Sequence, residues 1–133
     1  MDKESIRKEL KCIVYPLNSL KTYKYTVICS YYKGEWVLSK HKNRDTYETQ
    51  GGHIEENESP LEAAKRELYE ESGIKDATLY PVCDYYGYNH LSHSNGQVFL
   101  AIVNSIDKLP IYTTYQLKWE FTPKDATYKK GEF

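Results

Sequence analysis

"GGHIEENESPLEAAKRELYEESGI", residues 51–74, holds the pattern that decides the fold. Ser59 fits the N-cap of a helix, Pro60 its first position, and Glu62 completes an S-x-x-E capping box. Gly73 supplies the stop. Between these limits Leu61, Ala64 and Leu68 recur at i, i+3 and i+7, a narrow stripe expected to face a core. At about 100° per residue, Glu67, Glu70 and Glu71 fall within roughly a 100° arc beside that stripe. Ala63 leaves room one turn earlier, and Arg66 at the edge of the arc is placed to hold a carboxylate.

Local physics opposes this arrangement. Glu67 sits three and four residues from Glu70 and Glu71, and each like-charge pair costs roughly 0.2–0.5 kcal/mol. The last turn of a helix carries partial negative charge and favours cations. A solvated acidic face explains neither the crowding into one arc nor the lack of a lysine there, since Lys65 points elsewhere. A consistent violation of local preference marks a site. Hard oxygen ligands on one face suit Mg²⁺ or Mn²⁺, which bind through a few carboxylates plus substrate phosphates. A water beside a spare carboxylate then serves as nucleophile, which is metal-assisted hydrolysis at phosphorus. The glycine pair Gly51-Gly52 is expected to form a tight turn that lets backbone approach an anion.

Outward from this helix the chain reads as strands. "CIVYPL" is an edge-strand candidate ended by Pro16, and "YKYTVICSYY" and "EWVLSKH" form a hairpin turning at Lys33-Gly34. A short extended piece leads into Gly51. Beyond the helix, "ATLYPVCDYYGYNH" and "QVFLAIVNS" are strands with "SHSNG" as the turn, and "YQLKWEF" is a last strand. One helix among several strands makes the class α+β with a mixed or antiparallel sheet. The 133 residues form a single domain, 1–133, and the 14 tyrosines serve mainly as half-buried strand residues. A net charge of -1 argues against general nucleic-acid binding. Cys12, Cys29 and Cys83, widely spaced, are expected to be reduced thiols of a cytoplasmic protein. The polar start is no signal peptide, and no apolar run reaches membrane-spanning length.

The segment also resembles the Nudix box, G-x5-E-x7-R-E-U-x-E-E-x-G-U with U apolar. Gly52, Glu58, Arg66-Glu67-Leu68, Glu70-Glu71 and Gly73-Ile74 match every defined position. A chance match is rarer than about one in a million for a chain of this composition. The resemblance implies a Nudix fold, an α/β/α sandwich around a mixed sheet, and a hydrolase acting on a nucleoside diphosphate linked to another group with Mg²⁺ or Mn²⁺. It implies metal ligation by Glu67, Glu70 and Glu71, one of which also activates water, with Arg66 orienting a box glutamate. Glu58 would assist at the edge of the site, and Gly52 would lend a backbone carbonyl to a metal. Two departures stand out. Gln50 precedes the glycine pair where the family usually has proline, which is expected to loosen the turn. The tail "TPKDATYKKGEF" has too few apolar residues for the family's closing C-terminal helix, so that helix is expected to be short or missing. A partner chain, as in a homodimer, or residues 1–11 would then cover that face.

Markers of several family subgroups are absent: no proline stands near His90, and the upstream coenzyme A signature and "SQPWPFP" do not occur. By exclusion, and from the likeness of "TYETQGGHIE" to MutT-like members, the expected substrate is a nucleoside triphosphate. An oxidised purine such as 8-oxo-dGTP is included, and the products are monophosphate and pyrophosphate. Arg44, Lys42 or Lys40 are candidates to meet phosphates, and Tyr47 or Tyr86 to stack on a base. His90 and His93 lack the partners of a metal site. Two other readings compete. One is a non-catalytic Nudix-fold nucleotide-binding module, which typically loses box glutamates that this chain keeps. The other is a Nudix-fold isomerase, which needs a catalytic cysteine, whereas Cys29 and Cys83 sit in apolar strand contexts.

Overall fold

The computed structural model describes residues 10–41 and 45–106, together with the backbone strand 115–121. The elements run β1 (Lys11–Tyr15), β2 (Tyr25–Tyr32), β3 (Glu35–His41), β4 (Gln50–His53), α1 (Pro60–Ser72), β5 (Asp76–Tyr88), β6 (His93–Ser105) and β7 (Tyr115–Phe121). The strands form one seven-stranded sheet in the order β1-β5-β6-β2-β3-β7, with β4 also paired to β2. The β2–β6 pair is parallel and every other pair is antiparallel, so the sheet is mixed, as a Nudix fold requires.

β2 is the hub. One edge carries β6 from Tyr25 to Tyr31, while β4 takes Tyr25 to Ile28 and β3 takes Ser30 to Tyr32. The β2–β3 hairpin turns at Lys33 (φ 49) and Gly34 (φ 85), both left-handed, which matches the twist of the strands it joins. Thr26, Ile28 and Ser30 alternate into the face covered by α1. Ile28, Val37, Phe99, Ala101 and Val103 from the sheet meet Ala64, Leu68 and Ile74 there in one apolar cluster. On the other face Val14, Val27, Trp36, Val98 and Leu100 line an apolar groove of about 510 Å³ together with Cys12, Cys29 and Cys83, all free thiols.

The helix has the predicted ends. Ser59 Oγ accepts from the Glu62 N–H at 3.1 Å and Glu62 Oε1 accepts from the Ser59 N–H at 3.3 Å. Gly73 ends it in the left-handed region (φ 73), donating its N–H to Tyr69 O at 2.8 Å.

Four expectations change. Leu61 is 40% exposed. The residues that meet the sheet are Ala63, Ala64, Leu68, Glu71 and Ser72, and Leu61 lies in the first turn, beyond the ridge of 64, 68 and 72. Gly51 and Gly52 form no turn; they lie inside β4, opposite Val27 and Thr26, and neither has a positive φ. Gln50 loosens nothing, being fully buried in the ladder opposite Ile28. The turn between β5 and β6 precedes the predicted one. Asn89 Oδ1 accepts the N–H groups of Leu91 and Ser92, each at 2.8 Å, which closes the turn there and lets His93–Gly96 continue as strand. The segment predicted to lack the closing helix, 122–133, and most of the alternative cover, 1–9, lie outside the described residues. No described helix is long and apolar enough to cross a membrane.

Candidate functional site

Arg66 is the centre around which the acidic residues gather. Its Nε meets Glu58 Oε2 at 2.7 Å and its Nη2 meets Glu58 Oε1 at 2.9 Å, a two-point grip that only a guanidinium fork can make. Nη1 reaches Glu67 Oε1 at 3.0 Å and Glu70 Oε2 at 3.3 Å, while Glu55 stands 3.7 Å away. Nη2 also donates to His53 O at 2.9 Å, tying the end of β4 to the helix. Four carboxylates thus surround one guanidinium, a surplus of three negative charges.

The protonation balance within this group is uneven. Arg66 is held more firmly charged than usual, first by its hydrogen bond to Glu58. That bond likewise holds the Glu58 carboxyl below the ordinary range. Burial pushes Glu67 upward, against the pull of Arg66.

Gly52 explains how Glu67 comes so close to the sheet. A Cβ on Gly52 would lie 2.5 Å from Glu67 Cδ and 2.8 Å from Oε2, so the missing side chain is the space the carboxylate fills. Glu71 takes a different course from Glu67 and Glu70. It is buried, and its Oε1 accepts the Gly51 N–H at 2.7 Å. The three glutamates therefore share a helix flank, but Glu70 is 40% exposed beside Arg66 whereas Glu67 and Glu71 press on β4. Among the described residues no three His, Cys, Asp or Glu side chains converge tightly enough to enclose an ion. Arg66 and the Gly51 N–H draw them to separate anchors.

The donor set still fits a hard divalent cation. It is all oxygen, it carries surplus negative charge, and the Gly52 cradle holds one carboxylate beside a backbone strand. The Thr26 hydroxyl, opposite Gly52 in the ladder, is buried with no hydrogen-bond partner among the described residues, an unsatisfied polar group at the same place.

Of the other predicted residues, Arg44 and Lys42 lie outside the described residues, and Lys40 is in β3. Tyr47 is 37% exposed. Tyr86 sits on β5, with its ring centroid 5.6 Å from Tyr88 and 5.8 Å from His93. β6 and β2 separate it from β4, a span of roughly 14 Å at the usual strand spacing. Burial raises Cys29 to about 11, so it is a protonated thiol at neutral pH and a poor nucleophile.

Two buried polar groups escaped the sequence reading. Asp84 is fully buried and accepts from the Ser19 N–H (2.7 Å), the Leu20 N–H (3.2 Å), Tyr23 Oη (2.7 Å) and Gln97 Nε2 (3.0 Å). Burial alone would raise its carboxyl; these bonds outweigh it and hold the group below its ordinary range. In register it belongs to the row Asp84–Gln97–Thr26–Gly52, which crosses the sheet to the candidate site. The second group is Gln50, with Ser30 and Ser39. Its signal was present in the sequence: Ser30 is in phase with Ile28, and Ser39 with Val37, on strand faces that should be apolar.

Comparison with known proteins agrees with this fold. The family model described as NUDIX domain matches residues 23–129. An RNA pyrophosphohydrolase of Bartonella henselae is 57% identical over 37 residues, 28% of this chain and 21% of that protein, so the match spans about a fifth of its length. A mutant of the Bacillus subtilis pyrophosphohydrolase BsRppH superposes with a TM-score of 0.75 at 21% identity, covering 87% of this chain and 74% of that one. A NUDIX-family hydrolase from Clostridium perfringens gives a TM-score of 0.62 at 26% identity, covering 77% and 83%.

Proposed function

Since this chain belongs to the Nudix family, we propose that it is a Mg²⁺- or Mn²⁺-dependent pyrophosphohydrolase, cytoplasmic, that splits a nucleoside triphosphate into monophosphate and pyrophosphate. One observation carries the reading: the box residues Glu58, Glu67 and Glu70 gather around Arg66 while Gly52 makes room for Glu67. In this proposal Glu67, Glu70 and Glu71 hold the metal with the Gly52 carbonyl, and a bound divalent ion would neutralise phosphate charge and acidify a water. Arg66 keeps Glu58 and Glu67 in fixed orientation through its fork, so little reorganisation is needed when substrate arrives. Glu67, set against β4 in the Gly52 cradle and pushed upward by burial, is the box carboxylate we assign to take the proton from water. Glu71 is held on β4 by the Gly51 N–H.

Retention of every box carboxylate supports an enzyme over a non-catalytic nucleotide sensor, and the raised thiol of Cys29 weighs against a cysteine-dependent isomerase. A second substrate reading, the triphosphorylated 5′ end of RNA, rests on the activity named for the Bartonella protein. The 5′-triphosphate is common to both readings, and the carboxylates would meet it through the divalent ion. One panel separates them: nucleoside triphosphates including an oxidised purine, ADP-ribose, a dinucleoside polyphosphate and a 5′-triphosphorylated oligoribonucleotide, with products identified. Release of pyrophosphate from free triphosphates is the expected result. Much faster turnover of the oligoribonucleotide would move the assignment to RNA ends, and faster turnover of ADP-ribose would refute both.

A further inference from the structure

Gln50 occupies the position before the glycine pair, and its side chain makes every hydrogen bond an amide can donate. Its Oε1 accepts from Ser30 Oγ at 2.8 Å; its Nε2 donates to Val37 O at 3.1 Å and to Ser39 Oγ at 2.8 Å. The Val37 carbonyl cannot donate, so the amide has a single orientation that satisfies all three partners. Ser39 Oγ then passes its own proton on, donating to the backbone carbonyl of Glu71 at 2.9 Å. That carbonyl lies in the last turn of α1, where the helix supplies no partner and where no basic residue stands. The residue after Gln50 completes the hold, because the Gly51 N–H donates to Glu71 Oε1 at 2.7 Å. Glu71 is therefore gripped at its main chain and at its carboxylate by two consecutive residues of β4, one acting through Ser39.

We infer that Gln50 is a positioning residue: through Ser39 and Gly51 it sets where the Glu71 carboxylate stands relative to Glu67 and Glu70. This rests on the reading of Glu71 as a metal ligand given above. A directed chain from Ser30 through Gln50 and Ser39 to Glu71 O joins β2, β3, β4 and α1, and all three side chains in it are at most 2% exposed. Buried and fully satisfied, the chain has one arrangement, and the helix end has one position over β4.

Gln50→Met, which keeps an unbranched side chain of similar size without its hydrogen bonds, tests this. So does the triple variant Gln50→Met with Ser30→Ala and Ser39→Ala, which removes the stranded hydroxyls as well. Three quantities are measured: Tm without metal, Mn²⁺ affinity by calorimetry, and kcat and KM. The triple variant removes the stranded hydroxyls but still takes the side-chain donors from the Val37 and Glu71 carbonyls, so it should regain only part of the Tm that Gln50→Met loses. Mn²⁺ affinity and kcat should stay about 10- to 100-fold low in both variants, the usual effect of losing a group that orients a ligand, with KM little changed. Recovery of Mn²⁺ affinity and kcat together with Tm in the triple variant would overturn the inference, leaving Gln50 a packing residue. Glu71→Gln separates this failure from failure of the site itself. If it lowers metal affinity while both Gln50 variants bind like the parent, only the inference falls; if it changes nothing, both fall.

Discussion

Gly51 and Gly52 are neighbours in one strand, yet a methyl group added to each should fail in opposite ways. A Cβ on Gly51 would run into the Thr26 carbonyl oxygen of β2 and lie 3.3 Å from Val27 Cα. Backbone in a paired ladder cannot yield, so Gly51→Ala should cost about 1–3 kcal/mol, as overpacking does elsewhere. A Cβ on Gly52 would meet the Glu67 carboxylate, with Cδ at 2.5 Å, the far end of a flexible side chain. Normal contact starts near 3.4 Å, so that carboxylate must retreat by about 1 Å. The retreat costs little, and alanine restricts the unfolded chain enough to return about 0.4–1 kcal/mol. Gly52→Ala should melt at or above the parent temperature. Its kcat/KM should nevertheless drop on the order of 100-fold, the usual effect of a 1 Å misplacement in a reacting group. Paired thermal melts and steady-state kinetics on a nucleoside triphosphate decide the matter. Parental kcat/KM in Gly52→Ala, or a Tm as low as that of Gly51→Ala, would refute the cradle.

Changing Glu67, Glu70 or Glu71 to Gln should lower activity by orders of magnitude without weakening the metal-free fold, whereas Glu62→Gln, which still completes the capping box, should match the parent; equal activity in all four variants would mean a merely solvated acidic face. Mg²⁺ or Mn²⁺ at about 100 times its dissociation constant should stabilise the fold by ~2.7 kcal/mol, read as a rise in Tm, and no shift at millimolar metal would count against the site. Glu67 and Asp84 should have opposite pH signatures. Because the Glu67 pKa is raised on folding, its contribution is fully present below the ordinary 4.5 and lost as pH rises through the folded value, so Glu67→Gln should gain stability over the parent at pH 7 and lose that gain near pH 4. The Asp84 pKa is lowered, so its contribution is present above the ordinary 3.8 and lost as pH falls through the folded value. Asp84→Asn keeps one oxygen for the Ser19 and Leu20 N–H groups but sets an NH2 against the Gln97 Nε2 donor; it should cost on the order of 3 kcal/mol at neutral pH and flatten the acid limb of the stability profile.

The sequence by itself determined whatever depends on short separations along the chain. The capping box, the left-handed stop at Gly73, the Lys33-Gly34 hairpin and the placing of Glu67 and Glu70 beside Arg66 all follow from backbone geometry over a few residues, and the structure has each of them, whereas Glu71 turns to the Gly51 N–H instead. Tertiary structure decided what depends on register between distant segments. Gly51-Gly52 read locally as a turn, but opposite Val27 and Thr26 it is a strand whose missing side chains admit a backbone on one side and a carboxylate on the other. Gln50 read as a loosened turn and became the buried clamp on the helix end, because Ser30 and Ser39 reach it only when β2, β3 and β4 are assembled. Asp84 looked like one more strand residue until the segment holding Ser19, Leu20 and Tyr23, more than 60 positions away, closed over it. Helical periodicity is written in the order of residues, whereas the partner of a buried polar group is chosen by strand pairing, which no single segment encodes.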